Sequence, residues 1–137
     1  MSKVNPGRVI LSGIVAGILW TVLSSLITAY VSGEFVAAVP GRRLIAPPAE
    51  MVGFLLAVNL VMGIWAMWLY AAIRPRYGAG AWTAVRAGAS WWVITSLIDI
   101  TWGSFGFVRS HALLAPMLAS LPALILAALA GAWLYRE

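Results

Sequence analysis

The segment AVRAGASWWVITSLIDITWGSFGFV, residues 84–108, decides the class of fold to which this chain belongs. It is long enough to cross a bilayer as a helix, since about 20 mostly apolar residues span the hydrocarbon core. One carboxylate, that of Asp99, lies in the middle of this segment. A charged side chain at such a depth costs ~2.5–3.5 kcal/mol on insertion scales. We therefore expect Asp99 to have either a compensating partner or a function.

The composition of the whole chain indicates a membrane environment. Of its 137 residues, 63% are hydrophobic and 9% are charged, whereas about 25% of the residues of a soluble domain are charged. The chain has no cysteine, which excludes disulfides, thiolate metal sites and cysteine nucleophiles. Its formal net charge of +5 is typical of basic residues that face an anionic lipid leaflet, so we expect no nucleic-acid partner.

Charged and Pro/Gly-rich breaks divide the sequence into four apolar segments, at residues 9–31, 49–73, 84–108 and 112–135. A helix of ~23 residues is ~34 Å long, which is enough for a hydrocarbon core of ~30 Å. The pattern predicts one transmembrane domain over residues 1–137, an all-α integral membrane four-helix bundle whose partner is the lipid bilayer. We expect the first segment to be retained, because it is too long for a signal peptide.

The distribution of lysine and arginine predicts the orientation of these segments. One side holds six of these residues and the other side holds three. The larger group is Lys3, Arg8, Arg74, Arg76, Arg86 and Arg136, and the smaller group is Arg42, Arg43 and Arg109. Because the more basic loops stay in the cytoplasm, both termini are predicted to be cytoplasmic.

Polar residues of different segments are predicted to meet at one depth of the bundle. Asp99 follows Arg86 by thirteen residues, or ~20 Å along a helix, and Thr21 follows Arg8 by the same number. Asn59 lies ~15 Å from the outer end of its segment. The resulting candidate polar intramembrane site consists of Asp99, Asn59, Thr21, Ser24, Ser25 and Thr95. We expect the hydroxyl and amide groups of this site to form hydrogen bonds between helices.

Two interpretations of Asp99 stay open from the sequence. In the first, Asp99 is a protonatable or cation-binding group with Asn59 and nearby hydroxyls as co-ligands, because an acid inside a membrane segment is a functional candidate by default. In the second, Asp99 is a neutral, hydrogen-bonded clamp, because a low dielectric disfavours the charged form of a carboxyl group.

Two further patterns concern packing. The pair Gly13-x-x-x-Gly17 is a signature of close helix contact, which we expect within the bundle rather than between chains. The second segment ends in Trp68-Leu-Tyr70 and the fourth in Trp133-Leu-Tyr135. This repetition predicts two helix hairpins related as parallel repeats, although tryptophan and tyrosine also gather at membrane interfaces for other reasons.

The segment WLYAAIRPRYGAG, residues 68–80, and the ending AGAWLYRE, residues 130–137, resemble a family of small, uncharacterised bacterial membrane proteins with four predicted spans. The resemblance implies a multi-pass protein of the bacterial cytoplasmic (inner) membrane. It implies no activity and no site residues, because no function is assigned to that family.

The sequence contains no phosphate-binding glycine loop, no nucleophile–base–acid set and no metal-ligand spacing. We therefore expect no enzymatic activity, no cofactor and no metal site. The leading hypothesis is a non-enzymatic accessory subunit or a homo-oligomeric structural component, with other membrane subunits or further copies of the chain as partners. The alternative is a small ion- or proton-coupled carrier or channel that uses Asp99.

Overall fold

A computed structural model of the chain shows an all-α four-helix bundle, which confirms the predicted fold class. The structure describes residues 4–31, 49–105 and 110–135, apart from the side chains of Ser110 and His111. Helix α1 spans Pro6–Tyr30, α2 spans Ala49–Tyr77, α3 spans Ala81–Ser104 and α4 spans Ser110–Leu134. The predicted outer loop with Arg42 and Arg43, and residues 106–108 of the predicted third segment, lie outside the described residues.

The helices follow the four predicted segments, with one informative difference at the end of α2. The sequence predicts a break at Pro75, but α2 continues through this residue to Tyr77. Proline fits a helical φ but cannot donate to the carbonyl four residues earlier, so α2 passes Pro75 without one backbone hydrogen bond, that to the Ala71 carbonyl. The chain turns instead at Gly78, whose φ of 83° lies in the left-handed region that glycine adopts without strain. The hydroxyl of Thr83 then donates to the Gly78 carbonyl (2.7 Å) and holds the turn.

Three of the helices are long and apolar enough to cross a membrane: α1, α2 and Ala112–Leu134 of α4. Helix α3 has a similar length of 24 residues, but Asp99 and many hydroxyl and tryptophan side chains interrupt its apolar run. The outer surface of the bundle is apolar, and soluble proteins rarely expose such a surface. Its large exposed side chains include Leu11, Val22, Phe54, Val61, Ile94, Leu97, Leu118 and Leu126. The chain is thus a membrane protein.

The helices are arranged in the order α1, α2, α3, α4 around the bundle. Packing is closest between α1 and α2, between α3 and α4, and between α4 and α1, whereas α2 and α3 meet along a looser seam. The two predicted hairpins, α1–α2 and α3–α4, are therefore present as closely packed pairs. Their relation as an internal repeat stays a prediction.

The contact between α1 and α2 is a contact of backbones. A Cβ atom at Gly17 would lie 2.7 Å from the Asn59 carbonyl oxygen, and one at Gly63 would collide with the backbone of Gly13 and Gly17. A third helix joins at the same level, because a Cβ atom at Gly131 of α4 would lie 3.0 Å from the Ser12 carbonyl oxygen of α1. The Gly13-x-x-x-Gly17 pair thus packs within the bundle, which confirms that expectation.

The buried core lies in the half of the bundle that holds both described chain ends. Its fully buried apolar residues are Ala16, Met67, Ala84, Ala87, Leu124, Ala127 and Ala128. In the other half, no residue is buried in 18–30 of α1, 49–62 of α2 or 97–104 of α3, and the buried residues at the start of α4 are Ala112 and Leu113. The two halves therefore differ in packing: one is a close-packed core of small residues and the other is loosely packed.

We predict that Gly17→Ala destabilises the bundle by about 1–3 kcal/mol, the typical cost of overpacking. The added methyl group meets the backbone of α2, which cannot move aside as a flexible side chain can. The measurement is the midpoint of denaturant unfolding in detergent micelles. Gly53→Ala is the matched control, because nothing lies within 4 Å of a Cβ atom at Gly53. Equal losses in both variants would contradict this interpretation.

Candidate functional site

All four helices contribute to a cleft of about 320 Å³, which lies in the loosely packed half of the bundle and is open to the exterior. Its polar side chains come from every helix. They are Ser24 and Thr28 of α1, Asn59 of α2, Thr95 and Asp99 of α3 and Ser120 of α4, with Trp20, Ile27, Met62 and Pro116 completing the walls. The predicted depth of the polar layer therefore coincides with a real cavity.

The cleft unites four of the six predicted site residues, namely Asp99, Asn59, Ser24 and Thr95. The other two do not line it: Ser25 is exposed, and Thr21 is half-buried with its hydroxyl bonded to the Gly17 carbonyl (2.8 Å). The predicted set lacks six lining residues, namely Trp20, Ile27, Thr28, Met62, Pro116 and Ser120. Helical spacing is the signal that finds two of them, because Trp20, Ser24 and Thr28 follow one another at intervals of four residues on one face.

The hydroxyl groups of the cleft are bonded within their own helices. Ser24 donates to the Thr21 carbonyl (3.1 Å) and Thr28 to the Ser24 carbonyl (2.9 Å). Thr95 donates to the Trp92 carbonyl (3.0 Å), and Ser120 to the Met117 carbonyl (2.7 Å). The expectation of hydroxyl bonds between helices is therefore wrong for these residues. The physical reason is that a carbonyl three or four residues earlier is always within reach of a helical serine or threonine.

This bonding pattern determines the polarity of the cleft. A hydroxyl has one hydrogen and two lone pairs, and each of these four hydroxyls has already donated its hydrogen to the backbone. While these bonds are kept, their oxygen atoms offer lone pairs to a ligand. Together with the oxygen atoms of Asp99 they make a lining rich in acceptors, to which the Asn59 amide adds one acceptor oxygen and an NH₂ donor group.

Asp99 is half-buried in this lining. Among the residues that the structure describes, its carboxylate has no hydrogen bond and no ion pair. The described arginine of the same helix, Arg86, is thirteen residues away, or ~20 Å along the axis. A structural clamp requires a partner that accepts or donates a hydrogen bond, and the described part of the chain supplies none. The described residues therefore show no hydrogen-bond partner for the clamp interpretation of Asp99.

A pair of tryptophans separates the cleft from the core. The rings of Trp20 and Trp91 lie 5.9 Å apart between their centroids and are inclined by 58°. Trp20 lines the cleft, whereas Trp91 belongs to the buried core. The pair bridges α1 and α3 across the diagonal of the bundle, and Trp20 alone contributes to the wall of the cleft.

One side-chain hydrogen bond fastens α3 to α4 beside the cleft. The indole N–H of Trp92 donates to the Met117 carbonyl (2.8 Å), which also accepts from Ser120. Met117 lies between Pro116 and Pro122, two prolines inside α4. These prolines remove the backbone donors to the Ala112 and Leu118 carbonyls, so the Met117 carbonyl, which lies next to Leu118, accepts from Trp92 without being one of the two that they free.

The described residues contain no group of three or more His, Cys, Asp or Glu side chains that could hold a metal ion. A single carboxylate with amide and hydroxyl oxygens is instead suited to a proton or to a weakly bound hard cation, which prefers oxygen ligands.

The fold and the cleft define a helical membrane protein with an acceptor-rich cleft between its helices. No protein-family model matches the chain, and no curated protein or solved structure matches it either. The resemblance of residues 68–80 and 130–137 to a family of small bacterial membrane proteins stays a prediction.

We predict that Trp92→Phe lowers the free energy of unfolding by about 1 kcal/mol, the net contribution of one hydrogen bond. Phenylalanine keeps most of the ring contacts but cannot donate to Met117. The unfolding midpoint in micelles measures the effect. Trp82→Phe is the matched control, because Trp82 is 77% exposed. The assignment is wrong if the two variants unfold at the same midpoint.

Proposed function

We propose that this chain is a small carrier of the bacterial inner membrane that binds a cation, or a proton, at Asp99. The observation that carries the proposal is the lining of the cleft. The Asp99 carboxylate has no partner among the described residues, and the surrounding hydroxyls present lone pairs. Such a lining attracts a cation or a hydrogen-bond donor and disfavours an anion.

The position of the cleft favours a carrier over an open pore. With both termini in the cytoplasm, as the lysine and arginine distribution predicts, the cleft lies in the outer half of the membrane. The close-packed core then closes the cytoplasmic side, and Trp20 and Trp91 lie between this core and the cleft. A carrier is closed on one side at a time, whereas a pore needs a continuous path.

The dimensions of the cleft limit the size of the ligand. Its volume of about 320 Å³ lies at the lower end of the range for pockets that hold small organic molecules, ~300–1,000 Å³. The ligand class is therefore a proton, a partly hydrated monovalent ion or a small organic cation, for which Trp20 offers a ring face.

We predict that Asp99→Asn abolishes cation coupling without loss of the fold, because asparagine is a neutral isostere that keeps the volume of the side chain. Two measurements apply. In proteoliposomes with an entrapped pH indicator, imposed gradients of Na⁺, K⁺ or tetramethylammonium should drive a proton movement that the variant lacks. A hydrophobic carbodiimide should label Asp99, and the coupled cation should slow this labelling.

Glu50→Gln is the matched control for this experiment. It removes an exposed carboxylate from the first turn of α2, outside the cleft, and should retain the proton movement of the unmodified chain. The proposal is overturned if Asp99→Asn transports as the unmodified chain does. It is also overturned if protein-containing and protein-free liposomes behave alike and no cation changes the labelling of Asp99.

An accessory or homo-oligomeric role is a second candidate, and one observation favours it. Trp65 and Trp68 are stacked on the outer face of α2, with ring centroids 4.9 Å apart, and are 64% and 46% exposed. Trp65 lies sixteen residues after Ala49 and twelve before Tyr77, close to the middle of the helix. Tryptophan normally gathers at the membrane interface, so Trp65, which lies deeper in the segment than Trp68, is suited to contact another helix.

If this pair mediates association, Trp65→Leu should shift the chain toward the monomer, because leucine keeps the apolar character and loses the ring surface. Photobleaching steps of labelled protein in lipid nanodiscs report the oligomeric state. Trp82→Leu, which changes an exposed tryptophan of α3, should leave the distribution unchanged. A chain that is monomeric at every protein-to-lipid ratio would contradict self-association.

A further inference from the structure

A second cavity, of about 620 Å³, lies in the loose seam between α2 and α3. It lies at the end of the bundle that carries both described chain ends, remote from the cleft with Asp99. Its lining divides into two parts along the helices. The part toward the middle of the helices is apolar and consists of Leu69, Ile73, Ala89, Val93 and Ile94, of which Val93 and Ile94 are exposed, and the mouth consists of Tyr77, Arg86 and Ser90. We call this cavity the seam groove.

The mouth of the seam groove is built around one cation. The guanidinium carbon of Arg86 lies 4.4 Å from the centroid of the Tyr77 ring, a distance at which the ring face attracts and orients a cation. The Ser90 hydroxyl already donates to the Arg86 carbonyl (2.8 Å). The guanidinium of Arg86 and the hydroxyl of Tyr77 are therefore the donors that the mouth offers to a ligand.

The charge at this mouth is uncompensated by the described part of the chain. The two acidic residues of the described part of the chain are Glu50, in the first turn of α2, and Asp99. Both belong to the opposite half of the bundle. An exposed guanidinium beside an apolar groove, with no acid near it among the described residues, selects a ligand that is anionic at one end and apolar at the other.

The length of the seam groove agrees with such a ligand. Ile94 follows Arg86 by eight residues, which corresponds to ~12 Å along α3. The polar end is at the helix termini, at the level of the turn that contains Gly78, and the apolar end extends toward the middle of the membrane. This gradient is that of a phospholipid, with its phosphate at the surface and its acyl chains below.

We propose that an anionic phospholipid occupies the seam groove, with its phosphate at Arg86 and Tyr77 and one acyl chain between α2 and α3. The lipid fills the one interface between neighbouring helices that side chains pack loosely. This site does not rest on cation binding at Asp99, and it acts as a wedge that holds α2 and α3 at a defined distance.

The test compares lipids that remain bound to the full chain. The protein is reconstituted in vesicles of equal phosphatidylglycerol and phosphatidylcholine, extracted gently, and analysed by native mass spectrometry. We expect one bound phosphatidylglycerol in preference to phosphatidylcholine, and Arg86→Gln should reduce this preference about fivefold, the effect of one basic residue near an anionic lipid. Arg76→Gln is the matched control, because Arg76 is an exposed cation in the last turn of α2 that does not line the groove.

A second pair of variants tests the apolar part separately. Ala89→Phe fills the seam groove and leaves Arg86 in place, so it should release the lipid, whereas Ala72→Phe places the same ring on an exposed position outside the groove.

Glycerol 3-phosphate in solution should not displace the lipid. Displacement by this soluble anion would assign the mouth to free phosphates and overturn the proposal. Equal lipid retention by Arg86→Gln and Arg76→Gln, or by the two phenylalanine variants, would also overturn it. Asp99→Asn should retain the lipid, which separates this result from the proposed transport.

Discussion

The backbone contact of α1 with α2 at Gly13, Gly17 and Gly63 is the constraint on which the rest of the structure depends. Lipid gives apolar helices no hydrophobic reason to associate, so close van der Waals packing has to hold them together. Small residues permit that packing in the half of the bundle near the chain ends, where Gly131 of α4 approaches α1 and Gly88 of α3 approaches α4, with a Cβ atom at Gly88 only 2.9 Å from the Ile125 Cα atom. Beyond this half the helix surfaces carry larger and more polar side chains, and the cleft with Asp99 forms there.

The chemistry of the cleft follows from the same environment. A helix in lipid satisfies its own backbone groups, and hydroxyl side chains add bonds to nearby carbonyls of their own helix. The result differs from a polar network that links helices, because each hydroxyl is satisfied locally and turns its lone pairs toward the cavity. The carboxylate of Asp99 then lies among other acceptors. Binding of a cation or a proton reduces the electrostatic repulsion between these oxygen atoms. Charge selectivity is thus a by-product of local hydrogen bonding and does not need a dedicated network.

The sequence predicts the helices and the depth of the site better than it predicts which residues face one another. The length of each apolar run is enough to locate the four segments. The constant rise per residue of a helix is enough to predict that Asn59 and Asp99 lie at the same depth. The rotation of each helix about its axis is a different quantity. It depends on where the glycine contacts of α1 and α2 lie, and this decides that Thr28 faces the cleft and Ser25 does not. The bond from Trp92 to Met117 joins residues 25 positions apart, and no local pattern reveals such a pairing. The end of α2 depends on the left-handed turn at Gly78, which overrides the local signal of Pro75.

The uneven packing of the two halves also determines where thermal motion concentrates. Segments with few buried contacts open locally at a lower free energy than the core to which they are attached. The glycine contacts mark the close-packed half, whereas in the half with the cleft the hydrogen bond from Trp92 to the Met117 carbonyl joins α3 to α4. The boundary is itself imperfect, since the indole nitrogen of Trp91 and the hydroxyl of Ser96 are buried without a hydrogen-bond partner among the described residues. Local opening of the half with the cleft therefore requires no unfolding of the core.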